Sequence, residues 1–212
     1  MPVTLYSMSG SPYAWRAWLA LVHKGVQFTH QVMSYDAGDF KSAEFRKLTP
    51  RKRVPVLVDY EFALYESAAI VEYVEERWPQ PSLFSADLRQ RAVERRLIRE
   101  ADSYFAERME RLVEAVLFTP DAERDPAHIA DVCSRLKSEY ALWETLVTGD
   151  YLSGALSAAD YALYPLTALV ARMASRNPTL IPADLAGPKL TAWMIRMQTL
   201  PIVQATWPPH WK

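Results

Sequence analysis

The feature that most constrains this chain is the stretch of residues 54–67, where a proline enters an apolar run. Because proline cannot donate to a strand ladder, residues 55–58 are predicted to begin a strand or form an edge strand. A cis bond before Pro55 would turn the Val54 backbone outward and free its N–H and C=O. Those groups pair readily with an extended peptide. The stretch therefore predicts a strand edge that accepts a peptide.

A second short strand is predicted at residues 62–65, and it stops at Glu66 and Ser67. Apolar residues at helical spacing begin with Ala68, so Ser67 is expected at a helix start. Free N–H groups and the helix dipole favour an anion there, such as a carboxylate. Together with the strand edge, this helix start predicts a peptide-like anionic ligand.

The first third of the chain predicts an α/β domain. Residues 3–7 indicate a strand, after which Ser11 and Pro12 open a helix as N-cap and first helical residue. Gly25 is a typical residue after a helix end. The order of these and the later elements is that of a thioredoxin-like domain, assigned to residues 1–78. Its other predicted elements are strands at 26–33, 55–58 and 62–65, and helices at 42–48 and 67–78.

The rest of the chain predicts helices only. Two prolines within residues 79–81 cannot continue a helix, so residues 79–86 are assigned as a linker. Residues 87–212 are assigned to an all-helical domain. Ser157 and Asp160 have the spacing of a capping box, with Asp in place of Glu, and are expected to be structural. Helices are predicted at residues 88–118, 126–146, 161–173 and 188–200.

Composition excludes several classes of protein. A net charge of -1 over 212 residues provides no electrostatic footprint for direct nucleic-acid binding. Cys133 is the only cysteine, so no intrachain disulfide is possible and a reducing cytosol is the natural compartment. The sequence has neither a signal peptide pattern nor an apolar run of membrane-spanning length. A cytoplasmic protein without a metal site is predicted.

The V-P-V-L strand, the E-S pair, the long helix and the proline-bearing linker together resemble the glutathione S-transferase superfamily, over nearly the whole chain. Residues 11–13 followed by Arg16 also match the S-P-[FY]-x-x-R pattern of its serine-type members. The resemblance implies the glutathione transferase fold and a homodimer. It also implies a detoxification activity that conjugates the glutathione thiolate, as co-substrate, to small hydrophobic electrophiles.

The resemblance further implies roles for individual residues. Ser11 would stabilise the thiolate, and the Val54 backbone would pair with the cysteinyl part of glutathione. Glu66 and Ser67 would hold the γ-glutamyl ammonium and carboxylate, and Arg53 would meet the glycyl carboxylate. The loop before Val54 departs from the family pattern N-P-x-G-[KR]-V-P, since it lacks the Asn and Gly. The second-substrate pocket is assigned to Met8, Tyr104 and Arg108, with Trp207 or Trp211 beside it.

Alternatives remain open at the candidate catalytic residue. Ser11 is also a good helix cap and needs no catalytic role to explain it. Tyr6 is the rival hydroxyl, although a core position in the first strand is expected for it. Neither His23 nor His30 is expected near Ser11 as a base, because one follows the first helix and the other lies in the second strand.

The function also has alternatives. The run from residue 57 to residue 84 and the following helix are similar to stringent starvation protein A, a transferase-fold partner of RNA polymerase without transferase activity. Its Pro-His-Pro linker hallmark is replaced here by Pro79-Gln80-Pro81, and this chain keeps the Ser-Pro helix start. Both differences favour the enzyme. A glutathione-dependent isomerase or dehalogenase shares the serine-type pattern and is a third interpretation.

Overall fold

The computed structural model describes residues 3–211, which form two compact units. The first unit comprises the described residues up to Leu83 and those from Leu200 onward, and the second comprises Phe84–Thr199. The sequence predicts that the segment after residue 199 belongs to the helical domain. In the structure its described residues belong to the first unit instead.

The first unit contains a four-stranded sheet in the order β2-β1-β3-β4. Strand β1 is parallel to β2 and antiparallel to β3, and β3 is antiparallel to β4. This arrangement confirms the predicted thioredoxin-like layout. The strands are β1 (Val3–Ser7), β2 (Phe28–Val32), β3 (Val56–Asp59) and β4 (Phe62–Tyr65), and the helices are α1 (Pro12–His23), α2 (Ala43–Leu48) and α3 (Ser67–Arg77), with a 3-10 turn at Asp39–Lys41.

The second unit is helical apart from isolated bridges in residues 151–155, as predicted. Its long first run consists of two α-helices, each followed by a π-helical turn. No helix within residues 3–211 is long and apolar enough to cross a membrane. The elements are α4 (Leu88–Glu100), a π turn (Ala101–Phe105), α5 (Ala106–Val113), a π turn (Glu114–Phe118), a 3-10 turn (Asp121–Glu123), α6 (Pro126–Leu146), α7 (Ala158–Arg176) and α8 (Pro188–Thr199); the short α9 (Pro201–Ala205) and the 3-10 turn Pro209–Trp211 complete the first unit.

Strand register determines what lies at one edge of the sheet. Val56 pairs with Tyr6 on one side and with Tyr65 on the other. The end of β1, the start of β3 and the end of β4 therefore lie in one row. The segments that continue from this row are the turn before α1, the Val54-Pro55 pair, whose peptide bond is cis, and the start of α3.

A buried apolar cluster packs against the residues of this edge. Met33, Phe40, Phe45 and Val56 are all at most 6% exposed. Partly buried side chains that pack against them include three from the candidate site region, Tyr6, Met8 and Val54. Burial of this kind contributes about 1.5–3 kcal/mol per large side chain, enough to hold the edge in place.

Candidate active site

Ser11 is the N-cap of α1 and lies almost fully buried. Its backbone is extended, and its Oγ accepts a hydrogen bond from the Ala14 N–H at 3.3 Å. A serine hydroxyl has one hydrogen to donate in addition to its lone pairs. No acceptor for that hydrogen is found among residues 3–211. The cap therefore uses Ser11 as an acceptor and leaves its O–H available for donation.

Ser11 and Met8, predicted as separate parts of the site, line one cavity of about 150 Å³. Its walls come from the β1–α1 turn, α1, β2 and the C-terminal segment, and they are mainly apolar. A small uncharged group fits such a space. The remaining lining residues are Ser7, Ser9, Gly10, Ala14, Trp15, Trp18, His30, Val32, Pro208 and Pro209.

His30 also lines this cavity, so the second strand brings a histidine to the same space as Ser11. Its contact is with Ser7, and the expectation that it is no base for Ser11 stays a prediction. Its Nε2 lies 2.6 Å from the Ser7 Oγ, and its ring centroid lies 4.3 Å from that of Trp18. Burial lowers the pKa of His30, which favours a neutral imidazole in this apolar setting. The parallel pairing of β2 with β1 brings it there, and the period-2 alternation of Phe28, His30 and Val32 was the available signal.

Tyr6, the alternative hydroxyl, packs against the buried apolar cluster. Its ring centroid lies 6.0 Å from that of Phe45. Tyr6 is only partly buried, and it belongs to the row of residues at the sheet edge.

The Val54 backbone is open. Within the described chain, no backbone hydrogen bond joins Val54 to another residue. The next residue, Pro55, is buried, and the β3 ladder starts at Val56. An extended ligand therefore finds one free N–H and one free C=O at this point of the edge.

The start of α3 is also open. Ser67 is its first residue and only 7% exposed, and the N-cap residue Glu66 makes no capping hydrogen bond with its side chain. The helical ladder begins with the Ile70 N–H, which donates to the Glu66 carbonyl at 2.9 Å. The preceding N–H groups stay outside the ladder, and they form a partial positive charge that favours an anion.

Glu66 itself has a strained backbone. Its φ of 73° and ψ of 109° lie in a region that residues other than glycine rarely adopt. Strain of this kind costs of order 1–3 kcal/mol and concentrates at functional sites. It places an exposed carboxylate directly beside the open helix start.

The basic loop before Val54 contacts Glu66 through Arg51. The Arg51 Nε lies 3.7 Å from a Glu66 carboxylate oxygen, with both side chains about two-thirds exposed. Such a pair contributes little to stability. Arg53, the predicted contact for the glycyl carboxylate, is exposed in the same loop.

Tyr104 and Arg108 lie in the second unit. Tyr104 is 54% exposed, and its carbonyl accepts a hydrogen bond from the Arg108 guanidinium at 2.9 Å. Arg108 also pairs with the buried Glu139 at 3.3 Å. Arg108 contributes to a second-unit cavity of about 250 Å³, whose other lining residues are Glu107, Arg111, Val132, Arg135 and Ser138.

Ser157 and Asp160 form a capping box at the start of α7. The Asp160 carboxylate accepts from the Ser157 N–H at 2.9 Å, and the Ser157 Oγ accepts from the Ala159 N–H at 3.3 Å. Both residues are buried. Within residues 3–211, no group of three or more His, Cys, Asp or Glu side chains is placed to hold a metal ion.

Comparison with known proteins places this geometry in a family. The family model described as Glutathione S-transferase, N-terminal domain matches residues 5–82. Glutathione S-transferase 4 of Zea mays is 34% identical over 90% of this chain and 85% of its own length. Maleylacetoacetate isomerase of Pseudomonas aeruginosa is 39% identical over 94 residues, which span 43% of this chain and 44% of that protein.

A solved structure matches along the whole chain. The theta class glutathione S-transferase from Xanthomonas axonopodis pv. citri, crystallised with glutathione bound, is 28% identical and superposes with a TM-score of 0.81. The match covers 98% of each chain. As its sequence predicted, the chain belongs to the glutathione S-transferase superfamily and has its two-part fold.

Proposed function

We propose that this protein binds glutathione along the β3 edge and stabilises its thiolate beside Ser11, for transfer to small hydrophobic electrophiles. The observation that carries the proposal is the register of Tyr6, Val56 and Tyr65. Because these residues lie in one row, the Ser11 turn, the open Val54 backbone and the uncapped start of α3 share one edge. A short anionic peptide fits this combination.

The binding roles follow from charge and hydrogen bonding. The Glu66 carboxylate meets the γ-glutamyl ammonium, and the Ser67 end of α3 meets the neighbouring carboxylate. The Val54 N–H and C=O pair with the cysteinyl residue as an added strand would. Arg53 is the proposed contact for the glycyl carboxylate, since Arg51 already lies against Glu66.

The chemical role of Ser11 is to favour a thiolate at neutral pH. A free thiol has a pKa of about 8.5, and each unit of depression requires about 1.4 kcal/mol of preference for the anion. The free Ser11 O–H and the start of the twelve-residue helix α1 both favour a negative sulfur. The cavity lined by Met8 is the proposed position of the electrophile. The substrate-binding roles of Tyr104 and Arg108 stay predictions.

A second candidate function is a glutathione-dependent isomerisation, because the Pseudomonas aeruginosa relative is a maleylacetoacetate isomerase. Both reactions use the same thiolate, so product analysis on a substrate panel distinguishes them. A cytoplasmic homodimer is proposed as the working form in either case, and gel filtration with light scattering tests the dimer.

The decisive experiment titrates glutathione onto the purified protein across pH and follows thiolate absorbance in the ultraviolet. The native chain is compared with Ser11→Ala and with Ser42→Ala. Ser42 caps α2 through the same kind of bond, at 3.2 Å from the Phe45 N–H, and controls for the loss of a cap. We expect a bound thiolate at neutral pH in the native chain and in Ser42→Ala, and its loss in Ser11→Ala.

Two outcomes would contradict the proposal. If the native chain does not bind glutathione, the alternative of an RNA polymerase partner gains support, and a polymerase pull-down is the next experiment. If glutathione binds but the Ser11→Ala thiol titrates like that of the native complex, Ser11 is only a helix cap.

A further inference from the structure

The C-terminal segment, residues 206–211, is fixed to the start of α1 by Trp15. The Trp15 indole N–H donates to the Thr206 Oγ1 at 2.8 Å, within the buried part of the first unit. Its ring makes edge contacts with Trp207 and Trp211, at centroid distances of 5.4 Å and 5.6 Å. Trp211 is only 8% exposed. The segment is therefore packed against the helix that Ser11 opens.

His210, the residue before Trp211, lies against the β1–α1 turn. Its Nδ1 is 2.7 Å from the Ser9 Oγ. A Cβ placed on Gly10 would come within 2.8 Å of the His210 ring and 3.0 Å of the Trp211 indole nitrogen. The turn and the segment are thus in contact at Ser9 and closely packed at Gly10.

Gly10 is the residue of the turn that the segment covers. Its φ of 82° is in the left-handed region, which glycine adopts without steric cost. Ser9 and Ser11 flank Gly10 directly. A contact that holds Ser9 and covers Gly10 therefore restricts the residue that donates the candidate hydroxyl.

We infer that His210 is a positioning residue for Ser11: by holding Ser9 and covering Gly10, it keeps the Ser11 O–H directed at the bound sulfur. This inference rests on the proposed function and adds a residue that is 199 positions away in the sequence. It assigns His210 no contact with the substrate and no proton transfer. The effect on chemistry comes only through the geometry of the turn.

The test compares native protein with His210→Ala, His210→Asn and Ser9→Ala. Asparagine places a polar atom near the position of Nδ1, so it is the conservative variant. His128, an exposed histidine on α6 in the second unit, provides the matched control His128→Ala. The measurements are the pH profile of bound thiolate absorbance, the glutathione Kd, and kcat with a small aryl halide as electrophile.

We expect His210→Ala to raise the pKa of bound glutathione and to lower kcat about fivefold, the effect of losing one ordinary hydrogen bond. The glutathione Kd should change less than about twofold, because binding depends mainly on the α3 side of the site. His210→Asn should recover most of the loss. Ser9→Ala should cause a loss of the same kind but no larger, since it removes the bond and leaves the His210 ring over Gly10, and the double variant should be no worse than His210→Ala.

The inference is overturned if His210→Ala titrates and turns over like the native protein, or if the Ser9 and His210 effects simply add. An equal loss in His210→Asn and His210→Ala would also overturn it. Failure of the proposed function is a different result, because there the native protein itself shows no bound thiolate.

Discussion

Both α3 and α7 have a serine at their start, Ser67 as the first residue of α3 and Ser157 as the N-cap of α7. The two starts differ in whether side chains of the protein accept hydrogen bonds from the first backbone N–H groups. At α7, Ser157 and Asp160 satisfy each other and the first turn, and both are buried. At α3, Ser67 is followed by no acidic residue at the matching position, the N-cap side chain makes no capping bond, and Glu66 is strained. Side chains of the protein close one helix start, and the other keeps backbone N–H groups outside the helical ladder, where the proposed ligand would bind.

The difference separates stability from binding. A closed start stabilises a helix, since each satisfied cap is worth about 1 kcal/mol. An open start gives up that contribution and keeps N–H groups and a partial positive charge for an anion. Changes at α7 should therefore affect unfolding, and changes at α3 should affect ligand affinity.

The largest effect is expected from Asp160→Ala. The Asp160 carboxylate accepts hydrogen bonds from the Leu152 N–H at 3.0 Å and from the Trp193 indole N–H at 2.8 Å, in addition to the Ser157 N–H and hydroxyl. Leaving several buried donors unsatisfied should lower the free energy of unfolding by about 4 kcal/mol. Chemical denaturation measures it.

The control for that variant is Asp125→Ala. Asp125 caps α6 through one bond to the Ala127 N–H at 2.9 Å and is exposed. Its loss should cost only about 1 kcal/mol. Equal costs for the two variants would show that the closed start of α7 is no more than an ordinary cap.

The free energy of unfolding of Asp160→Asn, compared with that of the native chain, should depend on pH. Burial raises the pKa of Asp160 from its ordinary 3.8 to about 6. Because the folded-state pKa is the higher one, the part of the Asp160 contribution that depends on its protonation is present below pH 4 and is lost as the pH rises through 6. The stability advantage of the native chain over Asp160→Asn should shrink by roughly 3 kcal/mol from pH 4 to 7. Denaturation curves at several pH values measure it, and parallel pH dependences would contradict it.

The sequence predicted these helix starts and the order of the elements because both depend on local patterns. Ser11 before Pro12, Ser157 with Asp160, and the apolar runs are readable from neighbouring residues. The fold class followed from them. The positions of residues that depend on strand register or on contacts between distant parts of the chain were harder to predict from the sequence.

Two residues show the limit. The sequence predicts one helix over residues 88–118, but within it the π turn over Ala101–Phe105 buries Phe105 and leaves Tyr104 54% exposed. His210 is near Ser9 only because Trp15 fixes the C-terminal segment, a contact over about 190 residues that no local pattern encodes. Such positions require the tertiary structure.

A smaller and purely functional effect is expected from Ser67→Ala. The side chain of Ser67 caps nothing in the described structure, so the free energy of unfolding should change by less than about 0.5 kcal/mol. Loss of one hydrogen bond to a ligand carboxylate should weaken glutathione binding about tenfold. Calorimetric titration gives the Kd, and a large stability loss without a change in Kd would place Ser67 with Ser157 as a structural residue.

The smallest effect, and the one that most sharpens the contrast between the two helix starts, is expected from Glu66→Gly. Glycine adopts a φ of 73° without steric cost, so strain is relieved, although the unfolded chain gains entropy. We expect the free energy of unfolding to rise by about 1 kcal/mol or less, while glutathione affinity falls because the carboxylate is lost. The Arg51 pair adds little to this balance, since both side chains are largely exposed.

Two further variants separate the strain from the charge. Glu66→Gln keeps the strained backbone and removes the charge, so it should weaken binding without a gain in stability. Tyr60→Gly relieves a φ of 57° in the exposed turn between β3 and β4, so it should raise stability without affecting binding. If Glu66→Gly instead destabilises the protein and leaves the glutathione Kd unchanged, the strained residue serves the fold. The start of α3 would then be a structural cap, as the start of α7 is.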